Sequence, residues 1–255
     1  MSLHLRQWGD PALPAVVCLH GVTSHARHFA RLAARLSGRF NVVALDLRGH
    51  GDSVWEPPWH LEQHVQDVLE SAPQGRCAWL GHSFGARVAF EVAAASPERV
   101  ERLALLDPAI RIDPAVGLYA AEKARRERSY ASFDEAIDRR FEESVLRRAP
   151  RELVADELRE HLVPDEEGRW RYRYAQSTVV AAYGEMSREH PAFERVRVPT
   201  LLVLGEESYL PYDHLLDGHA AALGELLEVV RVPGGHTVLW DAFEETTAAV
   251  ERFLG

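Results

Sequence analysis

"WLGHSFGAR", residues 79–87, sets one small hydroxyl, Ser83, between Gly81 and Gly85, directly after an apolar run and directly before a helix-forming one. Two glycines are a poor choice for a buried core, because each raises the entropic cost of folding without adding a packed side chain. They suit a place where the backbone bends sharply and passes close to its neighbours. Gly81-His82-Ser83-Phe84-Gly85 fits G-x-S-x-G, and a strand pattern before it with a helix pattern after it is the context in which that sequence forms a nucleophile elbow, the serine hydroxyl exposed on a strained turn. A tight structural turn is the competing reading of the same residues.

Outward from the elbow, short apolar runs alternate with longer helical patterns. "AVVCLH" (15–20), "NVVALD" (41–46), "CAWLGH" (77–82), "RLALLD" (102–107), "TLLVLG" (200–205) and "LLEVVRV" (226–232) are Val- and Leu-rich and too short for helices, so they read as strands buried on both faces. Residues 26–37, 61–72, 85–95 and 242–254 carry apolar side chains three and four apart. This alternation predicts an α/β fold, a mostly parallel central sheet with helices on both faces, and Met1–Trp8 is expected to add an antiparallel edge strand. In such sheets the chemistry collects at the carboxyl ends of the strands.

Between Ala109 and Val198 the rhythm breaks. Asp113-Pro114 starts one helix, Ser132 with Glu135 forms a capping box for another, Pro150 opens a third, and "STVVAAYGEM" (177–186) makes a fourth. An interval of this length exceeds an ordinary connection. The organisation expected is a core of residues 1–109 and 199–255 with a helical cap, 110–198, inserted between two core strands.

Bulk composition closes off several function classes. A 255-residue chain that is 46% hydrophobic can bury a full core, and its formal net charge of −10 repels nucleic-acid phosphates. The two cysteines, Cys18 and Cys77, sit inside predicted strands and read as small buried hydrophobes rather than a disulfide. No basic segment followed by an apolar one opens the chain, and no run approaches ~18 apolar residues, so a cytoplasmic protein with no stable membrane insertion is expected. His60 and His64 stand one helical turn apart but lack a third ligand, and no phosphate- or dinucleotide-binding glycine pattern occurs; neither a metal nor a cofactor is expected. "GRWRYRYAQS" (168–177) interleaves arginine with aromatic residues, which can stack single-stranded bases, but the patch is small and reads better as an extended piece of the cap with its rings turned inward. The sequence carries no reading of oligomeric state.

A serine hydroxyl needs a base. His236, in "VPGGHTVLWDAF" (232–243), follows the last strand pattern and precedes the last helix, which brings its loop to the same sheet edge as Ser83. His20 and His82 flank backbone motifs, and His25, His28, His161, His190, His214 and His219 fall among surface-like neighbours. An oxyanion requires two N–H donors; Phe84, following the nucleophile, supplies one and Val22, after "AVVCLHG", the other.

These residues carry a resemblance. "LHGVTSHARHF" (19–29), "ALDLRGHGDS" (44–53), "LGHSFGARVA" (80–89) and "VPGGHTVLWDAFEETTAAVERFL" (232–254) resemble, in that order, the motifs of the α/β-hydrolase fold, most closely its compact bacterial esterases and lipases. The resemblance implies that Asp46, Arg48 and His50 shape a turn. It also implies a triad acid, usually an aspartate three residues after the glycine that closes the penultimate core strand; counted from Gly205 this lands on Ser208, which cannot be charged. Two sources of the carboxylate remain open: Asp107 at the end of "RLALLD", which the strand-end position favours, or Glu207 or Glu206 in "LGEESYL". The expected activity is a serine hydrolase that cleaves a small to medium, largely hydrophobic carboxylic ester through Ser83, His236 and Asp107. Trp55, Trp59, Tyr119, Tyr183 and Met186 are candidates to line its pocket. Lactone, thioester and carbon–carbon bond hydrolysis, haloperoxidase-like chemistry, and non-catalytic binding of a small molecule are the rivals on the same fold.

Overall fold

The computed structural model describes residues 2–126 and 128–255. Along them run the strands β1 (Leu5–Trp8), β2 (Ala15–Leu19), β3 (Asn41–Leu45), β4 (Cys77–His82), β5 (Val100–Leu106), β6 (Ser129–Tyr130), β7 (Leu162–Pro164), β8 (Trp170–Tyr172), β9 (Thr200–Gly205) and β10 (Leu227–Val232). Seven of them form the central sheet in the order β1-β3-β2-β4-β5-β9-β10, parallel throughout except for β1, which pairs antiparallel with β3 from Leu5 opposite Leu45 to Trp8 opposite Val42. Met1, the first residue of the expected edge strand, lies outside the described residues.

The apolar runs form buried strands because the pleat sends alternate side chains into two different cores. Val17 and Leu19 of β2 join Trp79, Phe84, Phe90 and Leu103 on one face, while Val16 and Cys18 join Leu80, Leu106 and Val203 on the other. The helices α1 (Ala30–Leu36), α2 (Leu61–Ser71), α3 (Phe84–Ala95), α4 (Pro114–Ala124), α5 (Phe133–Glu143), α6 (Arg151–His161), α7 (Gln176–Met186), α8 (Asp213–Leu223), α9 (Val238–Asp241) and α10 (Phe243–Leu254) supply the covering layers and the insert. The pattern at 26–37 resolves into a 3₁₀ turn, Ala26–Phe29, followed by α1. Cys18 and Cys77 are both free and buried. No described helix is long and apolar enough to cross a membrane.

Between β5 and β9 the chain leaves the sheet for α4 to α7. Asp113 caps α4 by accepting from Ala115 N–H at 2.8 Å, and Ser132 Oγ caps α5 by accepting from Glu135 N–H at 3.1 Å. The expectation of helices alone is incomplete here: β6, β8 and β7 make a small antiparallel sheet in that order. Strands of two or three residues are too short to register a period, and their side chains pack on α5 and α6 through Tyr130, Ile137, Leu158 and Tyr172. "GRWRYRYAQS" therefore is extended, as expected, but Tyr172 stacks edge-on against Tyr130 at 5.8 Å within this satellite core. Arg87 of α3, 1% exposed, clasps both ends of the insert by donating to the carbonyls of Ile110 and, at 2.7 Å, Glu189.

Candidate active site

Ser83 sits between β4 and α3 with φ 54° and ψ −117°, a conformation that non-glycine residues rarely adopt and that ends the strand abruptly. The glycines on either side are required by contact. A Cβ on Gly81 would lie 2.4 Å from Gly85 O, and one on Gly85 would lie 2.1 Å from Leu19 O. Ser83 N–H donates to Leu106 O at 3.2 Å and Ser83 O accepts from Ala109 N–H at 3.2 Å, so the elbow is tied to the end of β5. Phe84 is the first residue of α3, where an N–H has no intrahelical acceptor. The loop after β2 crosses directly over the serine, since a Cβ on Gly21 would come 3.2 Å from Ser83 Cβ.

The fold brings three distant side chains together. His236 Nε2 is 2.9 Å from Ser83 Oγ, and His236 Nδ1 is 2.6 Å from Asp107 Oδ2. All three residues are at least nine-tenths buried. A carboxylate can only accept, so Nδ1 carries the hydrogen and Nε2 presents its lone pair to the serine hydroxyl. Asp107 Oδ1 accepts from Gly205 N–H at 2.8 Å, and its Oδ2 also accepts from Ser208 Oγ at 2.5 Å. Glu207 turns away and pairs with Arg147 and Arg148, each at 3.3 Å, and Glu206 is exposed.

Further residues hold this arrangement, and the sequence reading did not find them. His82 Nε2–H donates to His236 O at 2.9 Å, and burial keeps His82 well below the usual histidine pKa and hence neutral. His20 donates from Nδ1 to Gly21 O at 2.8 Å and accepts from Leu47 N–H at 3.0 Å; burial, then His50, lowers it to about 3. Asp241 accepts through Oδ2 from Gly235 N–H at 3.0 Å and through Oδ1 from the backbone N–H groups of Arg148 and Ala149, both at 3.1 Å, so one carboxylate joins the His236 loop to the segment after α5. His25, His28, His161 and His219, read as surface-like, are all buried. Their rings pack inward, as His25 does on His161 with centroids 4.4 Å apart. His64 is likewise buried, against Phe84, and not solvated. The turn at Asp46, Arg48 and His50 is built as expected: Arg48 donates two bonds to Asp67, at 2.6 and 2.8 Å, and Asp46 accepts from Ala26 N–H at 2.7 Å.

A cavity of about 310 Å³ opens on Ser83 and His236, walled by Val22, Ile112, Val116, Tyr183, Met186 and Leu210. Tyr119 also faces it, whereas Trp55 and Trp59 lie outside; Trp55 donates instead to Gly51 O at 3.1 Å. Chemically, the site offers a nucleophile, a base oriented by a carboxylate, and a mostly apolar chamber.

The family model described as the alpha/beta hydrolase fold matches residues 14–243. Lipase LipV of Mycobacterium tuberculosis is 32% identical over 260 residues, covering 100% of this chain and 98% of its own length. The 2-(acetamidomethylene)succinate hydrolase of Mesorhizobium japonicum is 29% identical over 263 residues, with 100% and 92% covered. A crystal structure of E-2-(acetamidomethylene)succinate hydrolase superposes with a TM-score of 0.85 at 25% identity, covering 99% of this chain and 94% of that one. The seven-stranded sheet, the family match and these relatives agree: the chain belongs to the alpha/beta hydrolase fold family, as a hydrolase.

Proposed function

We propose that the chain hydrolyses carboxylic esters through an acyl-enzyme formed on Ser83. Ser83 Oγ attacks the ester carbonyl while His236 Nε2 takes its proton; Asp107 holds the imidazole in the required tautomer and stabilises the imidazolium. The N–H groups of Val22 and Phe84 receive the oxyanion, a contribution of about 3 kcal/mol each on the usual mutagenesis scale. His236 then protonates the leaving alcohol, and water activated by the same base releases the acid. Residues 110–198 act as the cap over this site, on a core made of 1–109 and 199–255, and their apolar side chains select the body of the substrate.

The observation that carries the reading is the continuous path from Ser83 Oγ through His236 to Asp107, with separations of 2.9 and 2.6 Å, opening on an apolar chamber. The test is labelling with a fluorophosphonate, expected in the unaltered chain and lost in Ser83→Ala, followed by turnover of p-nitrophenyl esters against lactones, thioesters and ring-cleavage diketones. An unlabelled chain overturns the nucleophile; a labelled chain that turns over one of the other classes but no ester overturns the substrate.

A further inference from the structure

One buried cation in the wall of the Ser83 cavity forms no ion pair among the described residues. Arg140, near the end of α5, is 6% exposed and lines the same cavity as Ser83 and His236. Its Nη1 donates to Thr23 Oγ1 at 3.1 Å and its Nη2 to Thr23 O at 3.4 Å, while Nε–H is buried without an acceptor. A guanidinium has five N–H groups, so these two bonds leave most of its donors free. Its planar group is flanked by rings, with Cζ 5.7 Å from the Tyr172 centroid and 5.3 Å from that of Trp240. The nearby acids are engaged elsewhere. Glu157 accepts from Trp240 Nε1 at 2.6 Å and from His28 Nδ1 at 3.2 Å, and Glu143 pairs with Arg128 at 3.1 Å. Among the described residues no carboxylate forms an ion pair with Arg140.

A buried guanidinium whose remaining donors face no carboxylate gains a charge-assisted pair from an arriving anion. The rest of the cavity has the same bias. Lys123, the one lysine in the sequence, reaches it from α4, and its charged lining comprises Lys123, Arg128 and Arg140 against Glu143, in a chain whose net charge is −10. The surface repels anions; the chamber at Ser83 attracts them.

The geometry points to an anion subsite at Arg140: the ester cleaved at Ser83 carries a carboxylate a few carbons from its scissile carbonyl, and Arg140 receives it through the Nη hydrogens that Thr23 leaves free. This rests on the hydrolase reading above and narrows it. Arg140 is a specificity-determining residue, and the apolar walls hold the carbon chain between the two polar ends.

The test separates binding from turnover. Binding to the Ser83→Ala chain is measured by calorimetry for monomethyl glutarate and for methyl 5-methylhexanoate, in which two methyl groups replace the carboxylate oxygens. The acid ester is expected to bind at least tenfold more tightly, the ratio to fall to about one or below when Arg140→Gln is added, and Arg140→Lys to keep part of it. The same ratio is expected in kcat/KM with Ser83 intact. Equal binding of the two esters, which needs no substitution at Arg140 to observe, overturns the subsite. So does a ratio that survives Arg140→Gln, or an equal loss on both esters, which would make Arg140 only a support for the Thr23 loop. A chain that keeps the binding ratio and turns over neither ester overturns the esterase reading while leaving the subsite in place.

Discussion

The environment of Asp107 predicts what Asp107→Asn would do. The Oδ1 atom accepts from Gly205 N–H at 2.8 Å, a backbone donor that cannot rotate away, so an asparagine here must place its carbonyl oxygen at that position. Its NH₂ then falls where Oδ2 now stands, 2.6 Å from His236 Nδ1. Two donors cannot face one another, so the imidazole is forced to accept at Nδ1 and to carry its hydrogen on Nε2, toward Ser83. The base is lost although the shape is kept. The expected fall is about 10⁴ in kcat, equivalent to roughly 5.4 kcal/mol of barrier. Ser208 sharpens the argument, because its hydroxyl donates to the same Oδ2 at 2.5 Å and its backbone lies one strand over. A carboxylate placed at 208 can therefore reach the vacated position. Ser208→Asp added to Asp107→Ala should recover at least about tenfold of the kcat that Asp107→Ala removes, since position accounts for most of the orienting effect. The assay is steady-state hydrolysis of p-nitrophenyl butyrate, with circular dichroism to establish that each variant is folded. Asp107→Asn with more than a tenth of the parent kcat refutes the tautomer argument; a double variant no better than Asp107→Ala refutes the shared position.

Acid should unfold this chain through its histidines. His20 and His64 fall from 6.5 to about 3, chiefly by burial, so below pH 6.5 the unfolded chain binds protons that the folded one refuses, and stability present above 6.5 is lost as pH falls toward 3. Between pH 7 and pH 5 each contributes a loss of about 2 kcal/mol. His64 has neither ring nitrogen hydrogen-bonded, so His64→Leu should halve the two-histidine loss without lowering stability at pH 7; guanidinium unfolding at both pH values checks this, and an unchanged pH dependence refutes it. Asp241→Asn replaces an acceptor with a donor between Gly235 N–H and the backbone after α5, and should cost about 2 kcal/mol, a fall of about 4–8 °C in Tm, together with a lower kcat from a loosened His236 loop. Calorimetry showing Tm within 1 °C of the parent, alongside undiminished turnover, counts against it.

The legible part of this molecule is the part with local causes. The elbow could be read because a strand, a tight turn and a helix leave their marks on nine consecutive residues, and β2, β3 and β4 because strands buried on both faces must be apolar throughout. The sequence leaves the carboxylate partner of His236 open among Asp107, Glu207 and Glu206 because no linear spacing records which strands adjoin. β5 and β9 pair with Leu106 opposite Val203, and that register sets Asp107 against Gly205 and Ser208 from almost a hundred residues away. Asp241 carries no signal in the sequence because its partners, the N–H groups of Arg148 and Ala149, come from the insert. Arg140 was hidden for another reason. In "FDEAIDRRFEE" it is one charge among many, and only the packing of α5 against Thr23, Tyr172 and Trp240 makes it the buried one.

The sheet order itself explains why so many separate segments meet. β2, β4, β5, β9 and β10 lie consecutively in the sheet, and since all are parallel their carboxyl ends open on one edge. The loop after β2 brings Val22, the one after β4 Ser83, the one after β5 Asp107, the one after β9 Ser208 and the one after β10 His236. Each strand fixes its own residue by backbone hydrogen bonds, so these side chains are positioned by the central sheet. The insert leaves between β5 and β9, near the middle of this row, and what it adds to the chamber is different in kind: Val116, Lys123, Arg140 and Tyr183 line the cavity, and none lies on a core strand. On the proposed reading, chemistry and selection rest on different stretches of chain. A substitution at Arg140 should therefore change which ester is chosen and leave the Ser83–His236–Asp107 geometry as it stands, whereas Asp107→Asn should slow every ester alike.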